Sequence, residues 1–241
     1  MKTFERPPSD LRARVLAAAN RTPATRPGTW ARRVAGAGAF ALLWMLAATA
    51  LLRVRADWSE LPARPLALTF AVLLGVAGAA AAGGLTRGRA MAGAALERLA
   101  VVVAVGLAAL LVLVLAVDPE GASTRQLGGA DLWWHSAPCA ALEMGVGIPL
   151  LMAALVPFAG LSLARPGLTG ACVGLAAATF AHAVVRLHCG LGGSDHALIG
   201  HLLPGVPLML LGAWFSRTRV VERLLAWFAF WARSGSPRRE K

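Results

Sequence analysis

Tyrosine is missing from this chain and charge is scarce. Of 241 residues, 15% are Asp, Glu, Lys or Arg, against about 25% in soluble domains. With 57% apolar residues and a mean hydropathy of +0.63, there is too little polar surface to cover a soluble core, so an ordinary soluble fold is excluded. Acidic residues are the scarcest charge, 12 against 24 Lys and Arg, for a net charge of +12. The basic residues flank apolar runs rather than gathering on a polar face. They therefore read as topology signals, and no direct contact with nucleic acid is expected. Three cysteines are too few for a disulfide framework, although an extracytoplasmic pair can still oxidise or bind metal. No secretory signal is expected, because the first apolar run begins near Val34, behind a long basic segment. Phosphate loops, nucleophile elbows, HExxH and dinucleotide fingerprints are lacking, so the chain does not read as an enzyme. Apart from Glu143 at an edge, the apolar runs hold no carboxylate for a proton relay.

What is present is a series of charge-free apolar runs, at 34–52, 66–85, 99–117, 144–164, 167–185 and 198–215. Each is close to the roughly 20 residues a helix needs to cross a bilayer. Lipid offers the backbone no hydrogen-bond partners, so the spans must be helical. The predicted fold is all-α: a polytopic membrane bundle of six transmembrane helices. Arg165 and Pro166 split the fourth and fifth runs and suit a tight turn, since proline is tolerated at a helix start. Gly170 and Gly174 form a small-residue step that lets helix backbones approach in lipid. Pro149, Pro157, Pro204 and Pro207 should kink the fourth and sixth helices.

The loops set the orientation. Segments 1–33, 86–98, 165 and 216–241 hold 19 Lys and Arg, and the alternate loops hold 5. By the positive-inside rule the first set is cytoplasmic, which places both termini inside. Three parts follow: a basic head and linker at 1–33, the six-helix domain at 34–215 and an amphipathic tail at 216–241, with Trp227 and Trp231 as interface anchors. The head includes the stretch SDLRARVLAAA (9–19), which reads as a short helix. Its Leu11, Val15 and Leu16 form an apolar stripe beside Arg12 and Arg14. Residues 20–33, with Pro23, Pro27 and Gly28, read as a linker.

This topology gathers the reactive residues at one level. Cys139 and Glu143, spaced i,i+4, share a helical face at the outer end of the fourth span, with Pro138 suited to the helix start. His188 and Cys189 end the fifth span on the same side. His196 and His201 flank the start of the sixth, after the glycine-rich turn GLGGSD (190–195). Thiolate, imidazole and carboxylate are the ligands of zinc and other thiophilic metals. The same thiolates suit a reversible redox switch, and both readings stay open, because oxidation and metal binding compete for one pair of sulfurs. Cys172, Thr179, His182 and Arg186 line one face of the fifth helix and read as structural polar contacts. His135, beside Trp133 and Trp134, reads as a solvated loop residue.

The stretches PCAALEMGVGIPLL (138–151) and LHCGLGGSDHALIGHLLPG (187–205), with six helices and a short basic head, resemble the negative-regulator-of-sigma-F family. These are membrane-bound anti-sigma factors for extracytoplasmic-function sigma factors. The hallmark of that family is a cysteine at the outer end of helix four and a histidine–cysteine pair after helix five, here Cys139 and His188–Cys189. The pattern departs after the pair, where this chain is glycine-rich and carries His196 and His201. The resemblance implies residence in a bacterial inner membrane and a cytoplasmic head that retains a sigma factor. It also implies release when the outer cysteines react. The rival readings are a metal transporter and a quinone-linked thiol oxidoreductase. The first needs ligands through the membrane, the second a cycling dithiol such as CxxC.

Overall fold

The computed structural model describes residues 27–54, 59, 63–85, 94–116, 130–159, 165–190, 193–218, 220–224 and 226–227. Every regular element among them is helical. The elements are α1 (Pro27–Leu51), α2 (Ala63–Leu85), α3 (Ala94–Ala116), α4 (Ala130–Leu155), α5 (Pro166–Arg186), α6 (Ser194–Ala197) and α7 (Gly205–Thr218). A 3-10 turn, Val156–Phe158, extends α4, and a π-helical turn, Leu198–Leu202, joins α6 towards α7. The stretch 9–19, with Leu11, Arg12, Arg14, Val15 and Leu16, lies outside the described residues. So does most of the tail, whose described positions 216–218, 220–224 and 226–227 are helical.

Most described residues of the six expected apolar runs are helical, with shifted edges. Residues 27–33, expected to belong to a linker over 20–33, are helical instead, because the fixed φ of Pro27 suits the first position of α1; residues 20–26 lie outside the described residues. α4 departs most. It starts at Ala130, not at Pro138, and runs through both Pro138 and Pro149. Asp131 in its first turn favours that earlier start, since a carboxylate complements the positive end of the helix dipole. His135, Trp133 and Trp134 therefore lie on a helix rather than in a loop, with His135 Nδ1 2.8 Å from the Asp131 carbonyl.

The helices are arranged around α5, in which 17 of 21 residues are buried. α7, α2 and α4 pack directly on it, α3 packs on α2, and α1 packs on α4. Small residues make the closest crossing possible. A Cβ on Gly170 would collide with the Gly212 carbonyl, and one on Gly174 with the Leu208 carbonyl. The expected small-residue step on α5 is thus the seat of α7. On the α1 side, the Trp44 indole N–H donates to the Val146 carbonyl at 3.1 Å.

Polarity is turned inside out. Leu43 on α1 and Leu210 on α7 are each 66% exposed. The interior holds Thr69, Ser136, Glu143, Thr169, Thr179, His182, Arg186, His196 and His201. Water would penalise that outer surface, and lipid would not. Among the described residues, four helical stretches, 29–51, 130–158, 166–186 and 194–218, are long and apolar enough to cross a membrane. The apolar parts of α2 and α3, Leu66–Ala82 and Val101–Leu113, are shorter.

The two ends of the bundle differ. At one end Arg33, near the start of α1, donates to the Ala159 carbonyl just past α4. Arg217, at the end of α7, lies over Gly167 at the start of α5. The other end holds the start of α4, the end of α5 and α6.

Candidate functional site

One face of α4 builds the floor of the site. Ser136, Cys139 and Glu143 are spaced three and four residues apart, so they stack on the same side of the helix. Ser136 and Glu143 have no exposed surface, and Cys139 is half-buried.

The second wall comes from the end of α5. The Leu187, His188 and Cys189 amides bond back to Val184 and Val185, which turns the chain and brings the Cys189 sulfur over α4. Cys139 Sγ and Cys189 Sγ are 3.5 Å apart. Both cysteines are free thiols.

The third wall is α6 and the π turn. Gly193, at φ 95°, occupies the left-handed region that glycine tolerates, and it starts α6. His196 and His201 follow, five residues apart. On an α-helix that spacing would put them about 140° apart around the axis. In the π turn the Leu203 amide reaches back five residues to the Leu198 carbonyl at 2.8 Å, and the longer turn brings His201 round towards His196. Their ring centroids are 5.2 Å apart, edge to face. Gly200 lies between the two histidines, and a Cβ there would stand 3.2 Å from His196 Cε1 and 3.5 Å from the Cys139 Cβ.

The imidazoles are held from behind by α4. His196 Nδ1 pairs with Ser136 Oγ at 2.9 Å, while its Nε2 lies 3.2 Å from Cys189 Sγ. His201 Nδ1 pairs with Glu143 Oε2 at 3.3 Å. His201 Nε2 and Glu143 Oε1 are buried with no hydrogen-bond partner. One donor atom from each of Cys139, Cys189, His196 and His201 falls within a group no wider than 4.8 Å. Cys189, in the turn between two membrane-length segments, is held well below the ordinary thiol range. The largest cause is the Cys139 thiol donating to it, followed by His196 and His201, and burial works in the opposite direction. Two sulfurs and two imidazole nitrogens suit a zinc-like ion, and this buried group can hold one.

Of the six site residues expected from sequence, Cys139, Cys189, His196 and His201 come together, with Glu143 directly behind His201. His188 is not brought into the group: its Nδ1 meets the Arg53 carbonyl at 2.8 Å. Ser136 was missed. The available signal was its place three residues before Cys139 and seven before Glu143. His182 lies closer to the chemistry than expected, its ring centroid 5.1 Å from that of His201. Thr179 bonds the Leu175 carbonyl in its own helix, as a structural role requires.

The sequence profile of the family described as negative regulator of sigma F matches residues 17–227, most of the chain. No curated protein and no solved structure matches it.

Proposed function

The chain belongs to the negative regulator of sigma F family, and from that premise we propose that it is a membrane-embedded anti-sigma factor with a chemical sensor at its outer end. The proposed architecture has six spans in the bacterial inner membrane, with both termini in the cytoplasm. Residues 1–33 retain an extracytoplasmic-function sigma factor through the Leu11, Val15 and Leu16 stripe and the neighbouring Arg12 and Arg14. The 19-to-5 distribution of Lys and Arg supports this orientation.

One observation carries the reading: Cys139, Cys189, His196 and His201 converge on a buried cluster at the end of the bundle opposite Arg33 and Arg217. A thiol-reactive oxidant or metal at that cluster changes how the end of α5 and the start of α6 sit on α4. α7 is locked to α5 through glycine, so the change is carried along the bundle to the sigma-binding side. A signal of this kind needs only that the stimulus favour one of two packings, and a few kcal/mol of differential binding suffices.

The test is retention of a co-expressed extracytoplasmic-function sigma factor in washed membranes. The full chain is expected to retain it and to release it when a thiol-reactive metal or oxidant is added. A chain beginning near Arg32 should insert but not retain. Cys139→Ser and Cys189→Ser should retain without release, whereas Cys172→Ser should behave as the parent. Unchanged retention by the shortened chain would show that the head has only a topological role.

A further inference from the structure

Ser136 and Glu143 are the informative residues, although neither belongs to the four-donor group. Each stands behind one histidine, holds its Nδ1, and leaves Nε2 as that ring's remaining donor. Metal-binding histidines are supported in this way: a hydroxyl, carbonyl or carboxylate fixes the tautomer and aims the other nitrogen at the ion. A thiol switch needs no such support. Oxidation of Cys139 and Cys189 to a disulfide involves only the two sulfurs, and it would leave the buried His201 Nε2 still without a partner.

The spacing also fits an ion. With Zn–S about 2.3 Å and Zn–N about 2.0–2.1 Å, ligand atoms at the corners of a tetrahedron lie roughly 3.3–3.8 Å apart. The sulfur–sulfur separation of 3.5 Å and the Cys189 Sγ to His196 Nε2 separation of 3.2 Å are already near that range. The remaining donors need to close up only from within 4.8 Å. A divalent cation would offset the charge of two thiolates in a site largely removed from water. The set is closed, with four protein donors, as structural zinc sites are.

We infer that the resting protein carries one resident zinc-class divalent ion. Its ligands are Cys139, Cys189, His196 Nε2 and His201 Nε2, and Ser136 and Glu143 position the two imidazoles. This deepens, and rests on, the sensor reading above, because the event that triggers release becomes reaction of the two thiolates that hold a resident ion, by oxidation or by exchange of that ion for a more thiophilic one, and a serine at either position cannot undergo it. Glu143 and Ser136 are positioning residues, not ligands.

The experiment uses the full chain, purified in detergent under reducing conditions, with its metal content measured by mass spectrometry. About one zinc per chain is expected. Replacement with cobalt(II) should give the visible bands of a tetrahedral ion bound by thiolate. Ser136→Ala and Glu143→Gln should keep the cobalt spectrum while weakening zinc binding 10- to 100-fold, the range found when such supporting groups are removed. Cys139→Ser should lose the ion. His201→Cys should keep it with a shifted cobalt spectrum, since three thiolates and one imidazole also hold zinc. That arm separates loss of a ligand from loss of the fold. A parent protein that neither contains nor takes up zinc or cobalt overturns the inference, as do equal affinities across all variants. Metal content and sigma retention are read separately. An empty parent that still retains the sigma factor overturns the ion and leaves the regulator reading intact. A zinc-loaded parent that retains nothing supports the ion and overturns the regulator.

Discussion

A methyl group on Gly174 would come within 2.5 Å of the Leu208 carbonyl, and one on Gly170 would strike the Gly212 carbonyl. Backbone cannot swing aside as a side chain can, so Gly170→Val should cost about 1–3 kcal/mol or more as an overpacked contact. It should lower the thermal unfolding midpoint in detergent. Gly145→Ala, on α4 with open space around it, should leave the midpoint unchanged. These glycines were legible in the sequence because their spacing of four repeats along one helical face. Cys139 and Glu143 were legible for the same reason. His188 was a natural candidate beside Cys189, but it lies past the last turn of α5, where spacing no longer fixes direction, and its ring meets Arg53 instead. Ser136 left little trace, since a serine within a helix commonly bonds to its own backbone.

Among the elements, the π turn Leu198–Leu202 is the one that apolar periodicity does not reveal. It contains one residue more than an α-helical turn needs, so five residues separate His196 and His201 while their rings still meet. Deleting Leu198, which is exposed, should convert the turn to ordinary α-helix. The histidines would then be spaced i,i+4, which also places them on one face. That deletion should preserve cobalt(II) binding, whereas one alanine inserted after Leu198 should abolish it. Loss of binding in the deletion would mean that the π geometry itself, not the shared face, is what the site requires. The start of α4 was also misplaced from sequence, by eight residues, because Pro138 looked like a helix boundary. Proline suits a first turn, but α4 carries two prolines in its interior, and Asp131 sits in its first turn.

For the whole molecule, the sequence announced its apolar surface through composition, and the structure shows it: polar groups such as Glu143 and His201 are buried within the core while large apolar side chains such as Leu43 and Leu210 stay exposed. The proposed six-span orientation makes a direct prediction. Reporter fusions at Gly121 and Gly193 should report the extracytoplasmic side, and fusions at Gly88 and Ser236 the cytoplasm. A cytoplasmic signal at Gly193 would remove the site from the outer face and overturn the sensor reading. The lateral order of the helices was less legible. Hydropathy shows that a segment enters a bilayer, but not which neighbours it takes. That choice depends on glycines such as Gly212, whose partners lie 38 and 42 residues earlier in the chain.

The enclosure of α5 affects how the protein is made. α5 carries Thr169, Thr179, His182 and Arg186, all buried, and such side chains are poorly suited to stand alone in lipid. It leaves the ribosome before α7, and α7 is the wall that covers its glycine face. During biogenesis α5 must therefore be sheltered, by the insertion machinery or by the earlier helices, until Ser194–Thr218 has followed it out. That last segment also delivers His196 and His201. The bundle and its Cys/His cluster are therefore completed together, and a nascent chain halted near Gly190 has neither.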